Sequence, residues 1–334
     1  MLGAGRNTED IGVAISKAVI TAAGRGPRLY PVADTVQKAM LPLVDRDGLA
    51  KPVIQIIAEE ALDSGIEEVC IVCAPGDDAR YREQLGQLRT NLTHAYEGIE
   101  WAQAQAERLD RLMRSLRFAF QEEPLGYGHA VHCAKDFVGH ESFLLLLSDH
   151  LYLSHVDGKR CAQQLLELAE QEECAVAAVN PPHEHLVHRY GTLSGRRVPD
   201  LAGVYTIERI IEKPTPSLAE LELQTPGLRV GHYLCLFGMH VLPHSVFDWL
   251  EQVMADGAAP EAGWQLTPAL QELANREKYL AAELQGARYD IGAQFGLLYA
   301  QIALGMESPD RDRMLEGLVT QLADHSRQEE SGGG

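Results

Sequence analysis

Between residues 17 and 55 a short apolar run breaks into a glycine-bearing loop and then meets two isolated cations, an order that leaves few folds open. Residues 18–20 (Ala-Val-Ile) are small enough to lie in a buried sheet. The loop after them reads Ala22-Ala23-Gly24-Arg25-Gly26-Pro27-Arg28, and its two glycines let the backbone bend tightly and approach a ligand. Arg28 and Lys38 come next, ahead of Met40-Leu41-Pro42-Leu43-Val44. In open α/β folds, a strand feeding a glycine loop at the carboxyl edge of the sheet marks the ligand site. Backbone N–H groups beside a fixed guanidinium and ammonium suit a polyphosphate. The spacing excludes the Walker loop, since no Gly-Lys-Ser/Thr comes after it, and the dinucleotide fingerprint, since no third glycine opens a helix.

From Ser16 onward strand and helix signals alternate, which predicts a mostly parallel sheet with helices on both faces. The early elements are a helix over 53–63, a strand over 68–73 and a long polar helical excursion over 80–117, whose late stripe is Leu109, Leu112, Met113 and Leu116. A strand over 118–121, a helix over 129–136 and the apolar strand 143–147 come next, then a helix over 161–172 and a strand over 174–179. Beyond Pro181 the pattern turns to β-rich pieces at 190–193, 204–211 and 229–239. Helices are expected at 244–254, 267–275, 293–304 and 310–324, with a strand at 279–284. The organisation expected is a flexible arm over 1–15, one domain over 16–306 with 80–117 as its helical insertion, and a C-terminal helix with a disordered tail over 307–334.

The formal net charge of −19 argues against a nucleic-acid polymer or an anionic membrane surface as partner. An anionic substrate then requires cations and a divalent metal gathered in one cleft. No run approaches the ~20 apolar residues of a membrane span, and the start of the chain has no signal-peptide pattern, so the expected compartment is the cytoplasm. The six cysteines are scattered over expected strands and helices and form no disulfide framework. Cys70 and Cys73 lie three apart on a strand and so face opposite sides of the sheet. His183, Glu184, His185 and His188 come after a Pro-Pro pair without metal-ligand spacing and read as a solvated loop. Asp149 stands directly after the 143–147 strand, at its carboxyl end, where a magnesium ligand explains it better than packing does. His150 and His155 lie nearby but are not counted as ligands, because magnesium prefers oxygen.

The glycine loop and the segment running on to Gln55 resemble the signature of the sugar-nucleotide pyrophosphorylases, nearest to the bacterial UTP–glucose-1-phosphate uridylyltransferases. Gly24, Gly26, Arg28, Pro31, Lys38, Met40, Leu41, Pro42, Val44, Lys51, Pro52, Ile54 and Gln55 match that pattern. Pro27 and Gln37 stand where the family has threonine and proline, and residues 46–50 are an insertion. The resemblance covers roughly residues 17–305 and implies a three-layer, Rossmann-like nucleotidyltransferase core. Its sheet would be mixed and mostly parallel, with an inserted β-rich sugar-binding part.

The resemblance also implies roles. Arg28 and Lys38 would neutralise the triphosphate, and Mg²⁺ would be held by Asp149 and by Asp290 of Tyr-Asp-Ile-Gly. Gln121 and Gly126, with the backbone of Ala22, Ala23 and Gly24, would read the base, an amide being able to donate and accept. Lys213 would hold the sugar 1-phosphate, Glu212 the sugar hydroxyls, and the backbone of Gly191 and Gly231 would touch the sugar. Glu122 and His232 replace the family's glycine and arginine. The activity implied is transfer from UTP to glucose 1-phosphate, giving UDP-glucose and pyrophosphate, in a homo-oligomer assembled through the C-terminal helix. Two alternatives stay open: another nucleotide or sugar 1-phosphate, or a nucleotide-sugar-binding regulatory protein with little turnover.

Overall fold

In the computed structural model, residues 14–24, 36–255, 260–261 and 263–332 are described. The expectations for the N-terminal arm up to residue 13 and for Gly26, Pro27, Arg28 and Pro31 lie outside them. The strand β1 (Lys17–Thr21) leads, past a 3-10 turn at Lys38–Met40, to the small hairpin β2 (Pro42–Val44) and β3 (Ala50–Pro52) and then α1 (Val53–Leu62). β4 (Glu68–Cys73) precedes the helical excursion, which is two helices, α2 (Asp77–Ala95) and α3 (Glu100–Ser115), before β5 (Leu116–Phe120). Short helices α4 (Tyr127–His132) and α5 (Lys135–Val138) lead into β6 (Phe143–Leu147), β7 (His150–Ser154) and α6 (Cys161–Glu172). The β-rich part comprises β8 (Ala175–Asn180), β9 (Gly191–Arg197), β10 (Val204–Glu212), α7 (Pro216–Glu222) and β11 (Leu234–Leu242). The chain closes with α8 (Val246–Ala255), α9 (Thr267–Arg276), β12 (Tyr279–Glu283), β13 (Gly286–Asp290), α10 (Gly296–Met306) and α11 (Arg311–Gly332).

Nine strands form the main sheet in the order β5-β4-β1-β6-β11-β8-β12-β10-β9. The pairings β5–β4, β4–β1, β1–β6 and β8–β12 are parallel, so only β11 and β10 run against the rest. Alternate residues of a strand face opposite sides, and in β6 Phe143 and Leu145 enter one apolar layer while Leu144 and Leu146 enter the other. One layer gathers α1, α2, α3, α6 and α10; the other gathers α4, α5, α8 and α9. Cys70 and Cys73 fall on opposite layers, as their spacing requires, and all six cysteines are free thiols.

Two details depart from expectation. α11 continues to Gly332, past the helix expected over 310–324. The stretch near His183 is exposed as expected but takes the form of a 3-10 helix, Glu184–Arg189, closed onto the Arg229–His232 turn by Glu184 N donating to Gly231 O at 2.8 Å. Among the described residues no helix is long and apolar enough to cross a membrane.

The insertion at residues 46–50 caps a buried ionic knot. Lys51 Nζ lies 2.7 Å from Asp45 Oδ2, 2.7 Å from Asp47 Oδ2 and 3.0 Å from Glu59 Oε2. Gln55 Nε2 donates to Glu59 Oε1 at 2.9 Å, and Gln105 of α3 donates to Asp47 Oδ2 at 3.1 Å. The hairpin is thereby tied to α1 and α3. Beside it, Glu60 Oε1 accepts from Ala162 N at 2.9 Å, satisfying an orphan donor of the first turn of α6. Burial pushes the Glu60 carboxyl up to about 7, against the pull of the backbone donors and of Arg46. The folded protein then holds a proton that the unfolded chain, at its ordinary 4.5, has released. Stability should therefore fall as pH rises from about 4.5 to about 7, by at most ~3 kcal/mol from this group. Glu60→Gln should flatten that part of the profile and melt higher than wild type at pH 7.5, checked by thermal unfolding from pH 5 to 8.

Candidate active site

The carboxyl ends of β1, β4, β5 and β6 build one edge. Ala22 N donates to Val72 O at 2.7 Å, Gln121 N to Cys73 O at 2.9 Å and Ser148 N to Thr21 O at 3.2 Å. Ala22, Ala23, Gly24, Gln121 and Asp149 are thus brought to the same rim by strand pairing alone. Gln121 Nε2 lies 3.0 Å from Gly126 O and 3.0 Å from His129 Nδ1; burial, then His132, push that ring's pKa down while Glu123 opposes. The Gln121 amide thus donates to Gly126 O and stands against the His129 ring at the rim. Gly126 also has a packing reason for being glycine. Its φ is +113°, and a Cβ there would lie 2.4 Å from Trp264 O.

Asp149 stands just past β6, and Asp290 ends β13. β7 and β13 form an antiparallel ribbon whose register sets His150 opposite Asp290, and Ile291 N closes it by donating to Asp149 O at 2.9 Å. Donor atoms of Asp149, His150 and Asp290 all lie within 4.8 Å of one another. Lys38 Nζ reaches the same corner, 2.7 Å from Asp149 Oδ2. Two carboxylates and an imidazole converging on one point fit a divalent cation. Burial pushes His150 down to about 4, with Arg288 and Lys38 adding to the effect and both aspartates opposing it, so the ring is neutral at pH 7. His155 stands beyond the end of β7, where its backbone N donates to Gln285 O at 3.0 Å.

Next to this corner, with His150 on the shared wall, a cavity of about 210 Å³ opens between β9, β10, β11 and α9. Gly191, Glu212 and Lys213 line it. Lys213 has a left-handed backbone (φ 47°) immediately before Pro214, a conformation that is strained for a non-glycine residue and disfavoured before proline. Such strain is tolerated where the fold needs the side chain in one place. A Cβ on Gly191 would lie 2.8 Å from Leu236 Cδ1 and 3.2 Å from Glu212 Oε2. Gly231 is the correction here: it does not line this cavity, because the Arg229–His232 turn folds back onto the 184–189 helix.

Three lining residues carry no signal in the sequence. Thr267 Oγ1 donates to Glu212 Oε2 at 2.6 Å. Arg288 of β13 lies over Tyr190 at 4.4 Å and donates to Leu236 O at 3.0 Å, adding a second cation beside Lys213. Tyr127 also lines the cavity; burial, then Asp149 and Glu212, push its phenol up, so it stays protonated. Thr267 reads in sequence only as a helix start, and nothing local marks Arg288, because their partners are distant along the chain.

A sequence profile of the nucleotidyl transferase family matches residues 17–304. The UTP–glucose-1-phosphate uridylyltransferase of Streptococcus pyogenes is 33% identical over 320 residues, covering 92% of this chain and 94% of that protein. The uridylyltransferase of the same name from Bacillus subtilis (strain 168) is 31% identical over 321 residues, covering 91% and 97%. Among solved structures, a UTP-bound UGPase from Acinetobacter baumannii superposes with a TM-score of 0.70 at 26% identity, covering 92% of this chain and 99% of that one. A UDP-glucose pyrophosphorylase complexed with UDP-glucose gives a TM-score of 0.67 at 27% identity, covering 86% and 98%.

Proposed function

The chain belongs to the nucleotidyl transferase family, and we propose that it transfers a uridylyl group from UTP to glucose 1-phosphate, giving UDP-glucose and pyrophosphate. The observation that carries this reading is the continuity of two sites: the corner of Lys38, Asp149 and Asp290 adjoins, across His150, a cavity lined by Lys213, Arg288 and Glu212. A phosphate oxygen of glucose 1-phosphate forms a bond to the α-phosphorus as the bond to the β-phosphate oxygen breaks, and pyrophosphate leaves. No side-chain nucleophile is needed, so catalysis rests on positioning and charge neutralisation.

The backbone of Ala22, Ala23 and Gly24 and the side-chain amide of Gln121 hold the base, with Gly126 O accepting from that amide. Lys38, together with Arg28, neutralises the triphosphate. Asp149 and Asp290 would hold Mg²⁺, which when bound polarises the phosphoryl oxygens. Lys213, aided by Arg288, takes the sugar phosphate. Glu212 accepts from the sugar hydroxyls, a role suited to a carboxylate. Its orientation depends on Thr267. Thr267→Val should therefore raise KM for glucose 1-phosphate by roughly tenfold, about 1.4 kcal/mol, with a smaller change in kcat, as initial rates over sugar-phosphate concentration would report.

The proposed setting is the cytoplasm. Exposed Leu298 and Tyr299 on α10 and Val319 and Leu322 on α11 support self-association through these helices. The test of the function is direct: with UTP, glucose 1-phosphate and Mg²⁺, the chain should form UDP-glucose and pyrophosphate in equal amounts. Binding of UDP-glucose without any product from any nucleotide would contradict it.

A further inference from the structure

We propose that His150 is a third ligand of the metal corner and tilts this chain toward cations that accept nitrogen, Mn²⁺ foremost, over Mg²⁺. The inference rests on the reading of Asp149 and Asp290 as metal ligands and extends it. His150 Nε2 lies 3.9 Å from Asp149 Oδ1, within the roughly 3–4 Å that separates neighbouring ligands on one ion. The ring's other nitrogen, Nδ1, is buried with no hydrogen-bond partner. Coordination through Nε2 would place the ring proton on Nδ1, the nitrogen that faces Gly238.

The backbone opposite is shaped around the ring. Gly238, in a β-bulge of β11 between Leu236 and His240, has a φ of +82°. A Cβ there would lie 2.3 Å from His150 Nδ1 and 2.8 Å from Leu147 Cδ1. Tyr152 donates its hydroxyl to Gly238 O at 2.8 Å, pinning the bulge from the same strand that carries His150. Glycine opposite, tyrosine below and ribbon register together fix the imidazole with one nitrogen toward the aspartates. Mg²⁺ favours all-oxygen octahedra, whereas imidazole suits borderline cations later in the divalent series.

The test uses the full chain with MnCl₂, alone and with UTP, and reads bound metal by electron paramagnetic resonance. Pulsed measurement should show nitrogen modulation from a directly bound imidazole, absent in His150→Val and in His150→Ala. Competition by MgCl₂ should give a preference for Mn²⁺ that drops about tenfold or more in both variants, with Mg²⁺ affinity little changed. Circular dichroism and melting establish that a variant is folded; two side chains of different volume guard against one that is not. Modulation that persists in the variants, Mn²⁺ bound to wild type without it, or an unchanged metal preference overturns the role of His150. If Asp149→Asn and Asp290→Asn bind Mn²⁺ as wild type does, the metal corner itself is wrong and this inference falls with it. If those variants lose the metal while the His150 variants match wild type, only the inference falls.

Discussion

Asp149→Asn is expected to lower kcat for UDP-glucose formation on the order of a hundred- to a thousandfold while leaving the fold intact. Asparagine has the same shape, so the cost is electrostatic and confined to the corner. The carboxylate accepts from Lys38 at 2.7 Å and stands within 4.8 Å of a donor on Asp290. Replacing it removes a negative ligand for the cation and leaves Lys38 facing a neutral amide. Its position at the end of β6 is set by the parallel β1–β6 pairing and not by its own side chain, so thermal midpoints should move little. Steady-state rates with saturating substrates make the check. The same substitution separates an enzyme from a binding module: a protein that only binds a nucleotide sugar has weaker metal-dependent binding and no turnover to lose. A variant retaining most of the wild-type rate would remove Asp149 from the metal site.

Lys51→Met should destabilise the protein by roughly 3–5 kcal/mol, a larger loss than at any surface ion pair. Burial alone pushes this ammonium down, but Asp45, Glu59 and Asp47 outweigh it and hold Lys51 above its ordinary value. Methionine fills the same volume and takes the nearest cation from Asp45 and Glu59, 3% and 4% exposed, whose next charged partners are Arg46 at 3.9 Å and Arg108 at 3.7 Å. The penalty comes from those stranded carboxylates. Urea unfolding monitored by circular dichroism should show a lower midpoint with an unchanged slope. A second change, Glu59→Gln, should recover part of the loss by removing one of the stranded charges, which a simple packing defect at Lys51 would not allow.

Local periodicity carried much of the fold. The apolar run of β6 and the amphipathic α6 begin and end where the sequence pattern places them, since each is decided by neighbours a few residues away. The β7–β13 ribbon was not legible. Its partners lie more than 130 residues apart, and β13 is half-buried throughout with no alternation to read. That ribbon makes the candidate metal corner: Asp149 reads from its place after β6 and Asp290 from Tyr-Asp-Ile-Gly, while their meeting depends on a pairing distant along the chain. Nothing local in the sequence marks His150 as a ligand, since magnesium prefers oxygen and the Gly238 turn that faces its ring belongs to a different strand. Gly231 shows the opposite failure. A motif match on a turn residue says nothing about which way the turn folds, and here it turns toward the 184–189 helix.

The proposed function requires one edge of the sheet to join a uridine-reading nucleotide site to a glucose 1-phosphate pocket. The most direct measurement is the initial rate of pyrophosphate release with Mg²⁺ and glucose 1-phosphate, offering UTP, dTTP, ATP, CTP and GTP in parallel. Release with UTP should stand far above that with every other nucleotide. A preference for a different nucleotide would contradict the uridine assignment, and silence with all of them, for glucose 1-phosphate and for other sugar 1-phosphates, would contradict the transferase itself.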